Sequence, residues 1–385
     1  MSWEKIIGLE REKILLQKAI LSGKIASAYL FYGSEGIGKR AMALQFAKSI
    51  NCEKPIIDTE KSSIDSCNVC QSCKMMNSFT HPNLHIVFSI PSGKSGDAKS
   101  DTPLSRLDDK QIAELQAQIE RISTNPYHRF LLQGAHTIKI DQIREIKKKI
   151  ALTSARSGKS FIIIFNAEEM TRESANAFLK TLEEPNENTH IILVTSQKDA
   201  LLDTILSRTQ LFFFHTPTIE EIKFGLIEKY NVEPNKAQII ASLSNGSVSA
   251  CLEQLEKEFV DLRSELVDVL RIALRKKGYR IELIDRIDKL IKENDSREII
   301  SALMLFEMWF RDVLFYSKSQ DILKIINLDM KEVIQKFVNN INNFDYSEAI
   351  KLIEKSINLI KKNVNIQLIL VNLYLGLRTY LHKFY

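Results

Sequence analysis

No stretch of the 385-residue sequence approaches the eighteen or so consecutive apolar residues that a membrane-spanning helix needs. Residues 1–8 also lack the apolar run of a signal peptide. We therefore expect a cytoplasmic protein with no membrane contact. The charge excess is small, +5, and too diffuse to predict a nucleic-acid-binding surface by itself.

Cysteine is scarce, with five residues in all, but four of them fall between positions 52 and 73. In a reducing compartment such a cluster indicates a metal site rather than disulfides. The spacing of Cys52, Cys67, Cys70 and Cys73 allows a tight turn to direct four thiolates at one centre. This predicts a structural Zn²⁺ site with no open coordination position, and free cysteines or a redox or iron–sulfur role are the alternatives.

Two further residues of metal-binding type lie outside this set. His81 could compete as a ligand, although a surface or sheet-edge position is the favoured interpretation. Cys251 lies in an apolar helical pattern, and we interpret it as a core residue.

Strand signals are confined to the first part of the chain, where short apolar runs alternate with helical stretches. This order is typical of an α/β fold with a parallel sheet. After Pro217 glycine becomes scarce and apolar residues recur every three to four positions, so the remainder is predicted to be helical. The predicted strands are 28–32, 84–90, 161–165, 191–195 and 211–214.

A glycine-rich loop lies between the first predicted strand and a predicted helix. Gly33, Gly36, Gly38 and Lys39 match the P-loop, whose backbone N–H groups cradle phosphates and whose lysine reaches the terminal ones. The motif should end in Ser or Thr, which ligates magnesium, but position 40 is arginine, which cannot bind a cation. One expected outcome is weak binding of a nucleotide or phosphate. The other is that the positively charged side chain of Arg40 fills the loop, which would then have only a structural role.

Two other Gly-Lys-Ser tripeptides, at 93–95 and 158–160, resemble the end of a P-loop. Neither has the required first glycine, because Phe88 and Thr153 stand at those positions. We therefore exclude both as phosphate-binding loops.

The segment Ala175–Pro185 resembles the ANALLKTLEEP stretch of bacterial clamp-loader subunits, which are AAA+ proteins. In the register that this resemblance sets, Phe165 and Asn166 end a predicted strand where the family carries two acidic residues for magnesium and water. Glu168 and Glu169 lie beyond the end of the strand. The disfavoured alternative is that they take over the role of the two acidic residues. The resemblance therefore implies negligible ATP hydrolysis by this chain.

Two other positions are interpreted through the same resemblance. Residues 203–212 are similar to the segment in which Ser-Arg-Cys projects an arginine finger into a neighbouring subunit's ATP site, with Thr209 here in place of cysteine. Arg208 is thus expected to act in trans, and an ordinary surface ion pair is its alternative role. Ser249 stands where active relatives carry an arginine that senses their own γ-phosphate.

The resemblance implies a non-hydrolysing delta-prime (stator) subunit of the DNA polymerase III clamp loader. Its expected partners are gamma/tau and delta subunits, with the sliding clamp and primed DNA met through the complex during DNA replication. The alternatives are an ATP-hydrolysing gamma/tau-type subunit and a DNA-binding interaction protein outside replication. Zn²⁺ is the expected cofactor.

Three domains are implied: an AAA+ P-loop domain at 1–215, an all-α lid at 216–257 and an all-α collar at 258–385. The zinc module occupies about 52–73 of the first domain.

A segment at about 91–135 departs from the family pattern. It consists of a polar loop at 91–101 and a predicted helix at 107–122, and no purpose is assigned to it. On the helix predicted after it, Arg144 and Lys147–Lys149 form a basic cluster. A solvated face is the favoured interpretation, and contact with DNA phosphates is the alternative.

Overall fold

The computed structural model describes residues 2–60, 62–91, 102–130, 132–153, 158–186, 188–256, 259–341, 344–362 and 364–382. They form two compact units. The first consists of Met1–Lys229 with Gly246–Ala250, and the second of Tyr230–Asn245 with Cys251–Tyr385. The division into P-loop domain, lid and collar remains a proposal.

The first unit is built on a five-stranded parallel sheet in the order β4-β5-β6-β1-β7, with a separate antiparallel pair, β2 and β3. The strands are β1 (Ala28–Tyr32), β2 (Ile56–Asp58), β3 (Ser63–Asp65), β4 (Leu84–Val87), β5 (Ser160–Ile164), β6 (Thr189–Thr195) and β7 (Gln210–Phe213). Parallel neighbours require crossover connections, and helices supply most of them. The helices of this unit are α1 (Glu10–Leu21), α2 (Lys39–Asn51), α3 (Gln71–Asn77), α4 (Asp109–Thr124), α5 (Ile140–Thr153), α6 (Arg172–Glu183), α7 (Asp203–Leu206) and α8 (Ile219–Tyr230).

Both faces of the sheet are covered, so its central strands are apolar at consecutive positions. On one face Ile162 and Ile164 of β5 pack against helices α5 and α6, where Phe178 is fully buried. On the other face α2 packs through Phe46, whose ring contacts Tyr29 and Phe161 edge to face. This alternation explains why β1, β5 and β6 appear in the sequence as unbroken apolar runs.

The second unit is helical throughout the part that is described. Its core lies around the long helix α13 (Ser296–Ser319), which packs against α11 (Phe259–Ala273) and α15 (Tyr346–Lys361). Trp309 and Phe306 of α13 stack with ring centroids 6.0 Å apart, and Tyr374 is fully buried beside Phe306. The helices are α9 (Pro234–Leu243), α10 (Val248–Glu256), α11 (Phe259–Ala273), α12 (Tyr279–Glu293), α13 (Ser296–Ser319), α14 (Lys331–Asn340), α15 (Tyr346–Lys361) and α16 (Ile366–His382), of which α10 begins in the first unit.

The predicted α/β fold with a helical remainder is confirmed, and all five predicted strands are present. The helix predicted at 107–122 is α4, which begins with a capping box at Asp108. The pair β2 and β3 was not predicted. The polar loop predicted at 91–101 lies outside the described residues, apart from Pro91. No helix in the described ranges is long and apolar enough to cross a membrane.

Candidate functional site: the P-loop, Arg208 and the cysteine cluster

The candidate nucleotide site lies at the carboxyl edge of the sheet, where β1, β5 and β6 end side by side. The P-loop follows β1, and Lys39 begins helix α2, so the loop and the helix N-terminus have the predicted arrangement. The Lys39 ammonium is buried and donates to the carbonyl oxygens of Gly33 and Ser34 at 2.8 and 2.5 Å. Burial, with a smaller contribution from neighbouring Arg40, lowers the pKa of Lys39 to about 8.

Arg40 stands at the last position of the P-loop pattern, where Ser or Thr was expected. Its guanidinium carbon lies 5.6 Å from the centroid of the Phe165 ring, within the range of a cation–π contact. The Phe165 side chain itself is 3% exposed. The side chains of Arg40, on α2, and Phe165, directly after β5, therefore pack against each other.

The carboxylates of Glu168 and Glu169 are both engaged by neighbouring groups. The Asn166 side-chain amide donates to Glu169 Oε1 at 2.8 Å, while Glu168 Oε1 accepts from the Ser196 hydroxyl at 2.9 Å. Glu168 and Glu169 lie on a short 3₁₀ turn beyond β5, as the sequence indicated.

Ser249 contacts the P-loop directly. Its backbone N–H donates to the Gly36 carbonyl at 3.0 Å, and its hydroxyl lies 3.3 Å from the same oxygen. The hydroxyl also donates to the carbonyl of Tyr127 at 2.7 Å. Tyr127, from the segment without an assigned purpose, is thus part of the site, and nothing in the sequence indicated it.

Arg208 follows helix α7 on the surface of the first unit. Its side chain is 34% exposed and forms an ion pair with Glu183, with Nε and Nη2 lying 2.7 and 2.5 Å from Oε1. Nη1 also donates to the carbonyl of Thr204 at 3.0 Å. In the isolated chain the guanidinium is therefore held by its own neighbours.

The structure brings the four predicted metal ligands together: the Sγ atoms of Cys52, Cys67, Cys70 and Cys73 all lie within 4.8 Å of one another. Four thiolates bound tetrahedrally to zinc at 2.3 Å stand about 3.8 Å apart, so the cluster fits that ion after small side-chain adjustments. Loop backbone supports this geometry, because the N–H of Cys67 donates to Cys52 Sγ at 3.2 Å and the N–H of Cys70 donates to Cys67 Sγ at 3.4 Å.

The surroundings of the cysteines change the pKa of their thiols in different directions. Backbone N–H donors from Cys70 and Val69 lower the pKa of Cys67 to about 6. Burial raises the pKa of Cys52 and, more strongly, that of Cys73. A bound divalent cation would favour the thiolate at the buried positions as well.

Two residues near the cluster have structural roles. His81 lies outside the four-cysteine group and is buried, with Asn83 N–H donating to Nδ1 and Ser72 Oγ 3.1 Å from Nε2. Of the expected surface or sheet-edge position, only the surface part was wrong: His81 precedes the edge strand β4, but the loop there folds its ring inward. Lys48, which sequence analysis did not single out, is 2% exposed and donates to the side-chain oxygens of Asn68 and Asn77.

The remaining two predictions concern side chains of α5 and α10. Arg144, Lys148 and Lys149 are exposed, whereas Lys147 donates to the carbonyl of Ala177. Cys251 is fully buried, as predicted.

The strand order and the glycine loop after β1 define the first unit as a P-loop α/β unit of the AAA+ type. The family described as "DNA polymerase III, delta subunit" matches residues 9–218, more than half of the sequence. The chain belongs to this family of clamp-loader subunits.

Curated relatives of two kinds are similar to the chain. The Bacillus subtilis DNA polymerase III subunit delta' is 29% identical over 82% of this chain and 80% of its own length. The tau subunit of the same organism is 27% identical over 92% of this chain but only 57% of its own length. A solved gamma-subunit-related protein from Thermotoga maritima aligns over 96% of this chain and 99% of its own at 15% identity, with a TM-score of 0.40.

Proposed function

We propose that this chain is a non-hydrolysing subunit of the delta-prime type, which completes the ATP site of a neighbouring clamp-loader subunit with Arg208. One observation carries the proposal: Arg40 and Phe165, which stand where the family resemblance leads us to expect magnesium ligands, pack together. A guanidinium there repels the cation, and an aromatic ring offers it no oxygen ligand. Without a bound metal, charge on a transferred phosphoryl group is left without its main stabilising partner.

The retained arginine supports the second half of the proposal. Arg208 is surface-exposed, while the positions that would serve the chain's own nucleotide carry Arg40, Phe165, Asn166 and Ser249. A guanidinium supplied in trans stabilises charge on the transferred phosphoryl group and contributes about 10³- to 10⁵-fold to hydrolysis in other nucleotide-hydrolysing proteins. The partners under this proposal are a gamma/tau-type ATPase and a delta subunit, with clamp and primed DNA reached through the assembly.

The four cysteines belong to the same proposal as a structural zinc site. Cys52, Cys67, Cys70 and Cys73 would hold the ion, and the four ligands would leave no position for water. A metal bound in this way stabilises a local fold and contributes no catalysis.

Two measurements test the proposal. Magnesium-dependent, single-turnover ATP hydrolysis by the isolated chain should not exceed background, and hydrolysis would favour the gamma/tau-type alternative. In mixtures with a cognate gamma/tau-type subunit, Arg208→Ala should reduce hydrolysis at the adjoining site by about 10³-fold or more. Arg144→Ala, which removes an exposed arginine on α5, is the matched control. Equal activity of the two variants would contradict the trans role, and failure to assemble with clamp-loader subunits would favour a function outside replication.

A further inference from the structure

The segment 125–129 lies over the P-loop of the same chain. Tyr127 is 3% exposed, and a Cβ atom placed on Gly38 would lie only 3.0 Å from Cε1 of its ring. Gly38 has a φ of 110°, a conformation that favours glycine. The Tyr127 hydroxyl accepts a hydrogen bond from the backbone N–H of Ile7 at 2.7 Å. The ring therefore lies directly against the loop on which a phosphate chain would have to lie.

Three contacts hold the segment in this position. The Ser249 hydroxyl donates to the Tyr127 carbonyl, and the Ser249 backbone N–H donates to the Gly36 carbonyl, so one residue connects the segment with the loop. At the surface, Arg129 and Glu35 form an ion pair at 2.9 Å. Glu35 lies within the P-loop itself, so the segment is joined to the loop at its exposed end as well.

The space left beside the loop is small. The cavity bounded by Lys39, Arg40, Tyr127 and Ser249, among others, has a volume of about 30 Å³. Such a volume holds one or two water molecules, whereas pockets for small ligands measure roughly 300–1,000 Å³. The Lys39 ammonium is also bound to carbonyl oxygens of the loop rather than directed into this space.

We propose that Tyr127 is a specificity-determining residue that excludes nucleotides from the P-loop of this chain. The residues at positions 40, 165 and 166 explain a loss of ATP hydrolysis. They do not explain a loss of nucleotide binding, because the three glycines and the lysine of the P-loop are still present. Tyr127 prevents nucleotide binding by occupying the cleft beside the P-loop. This assigns a purpose to part of the insertion at 91–135, and it does not depend on the role proposed for Arg208.

Equilibrium binding of a fluorescent ATP analogue tests the proposal, with EDTA present so that the missing magnesium ligands do not matter. The wild type should bind negligibly at about 1 mM, whereas Tyr127→Ala should bind at least about tenfold more tightly. Tyr127→Phe keeps the aromatic ring, so its cleft should remain closed and the variant should bind the analogue as weakly as the wild type. Arg121→Ala removes an exposed arginine of α4 outside the segment 125–129 and is the control.

Several outcomes would overturn the proposal. Tight binding by the wild type would show that the ring does not exclude ATP, and equally weak binding by folded Tyr127→Ala would show that another feature does. If Tyr127→Ala does not fold, hydrogen exchange on the wild type decides the question. Protection of the Ile7 and Gly38 amides should then be unchanged by about 5 mM ATP, and an ATP-dependent change at either amide would refute the closed cleft.

Discussion

The ion pair between Arg208 and Glu183 allows a quantitative prediction about the proposed action of Arg208 on the ATP of a neighbouring subunit. Arg208 has to leave Glu183 before it can reach a phosphate on a neighbouring subunit. The two side chains are 34% and 46% exposed, and such surface pairs contribute about 0–1 kcal/mol. Glu183→Gln should therefore lower the cost of releasing the arginine by up to about 1 kcal/mol, which corresponds to about fivefold.

The assay is the ATP hydrolysis of a cognate gamma/tau-type subunit, measured at subsaturating concentrations of this chain. Glu183→Gln should increase the stimulated rate by up to about fivefold, and Arg208→Ala should abolish the stimulation. Glu184→Gln is the matched control, because Glu184 is the exposed neighbour on the same turn. High salt should reduce the gain, since it screens the pair in the wild type.

A double-mutant cycle shows whether the effect of Glu183 acts through Arg208. The variant carrying both substitutions should have the same activity as Arg208→Ala alone. A loss of activity in Glu183→Gln as large as that in Arg208→Ala would refute the reasoning, because Glu183 would then position the arginine instead of restraining it.

Three further predictions concern the metal centre, the second unit and the buried lysine. Purified wild type should contain one zinc ion per chain by elemental analysis, Cys73→Ser should lose it, and the buried control Cys251→Ala should retain it. Asp329→Ala should reduce the free energy of unfolding in urea by about 3 kcal/mol, because it leaves the fully buried guanidinium of Arg263 without its ion-pair partner; adding Arg263→Met should recover part of that loss, and no recovery would contradict the reasoning. Since the folded pKa of Lys39 is about 8 and the unfolded value is about 10.4, the unfolded state binds more protons between these values. The wild type should accordingly gain stability relative to Lys39→Met as the pH rises through this window, and a constant difference in thermal unfolding would contradict it.

The strands of the large sheet could be predicted because parallel strands covered on both faces require apolar side chains at consecutive positions. Helix α4 was predictable from its amphipathic spacing. By contrast, the pair β2 and β3 has only three residues in each strand, and Ile56 and Ile57 of β2 are exposed. Such short strands leave no periodic signal, so only the folded loop between the cysteines reveals them.

The burial of His81 could not be predicted because the direction of its ring depends on how α3 and the loop before β4 fold together. Ser72 on α3 and the backbone of Asn83 bind its two ring nitrogens. A single histidine in a loop has the same appearance in a sequence whether its ring is exposed or buried. Tertiary packing alone decides between the two.

By itself, the sequence determined the class of fold and the clustering of the cysteines, because each depends on residues close together in the chain or on a local pattern. Only the tertiary structure revealed which side chains pack against the P-loop. Tyr127 meets Gly38, and Ser249 meets Gly36, across long separations in sequence. No local pattern encodes such contacts, since they arise only when the crossover connections of the sheet bring distant segments to the same edge.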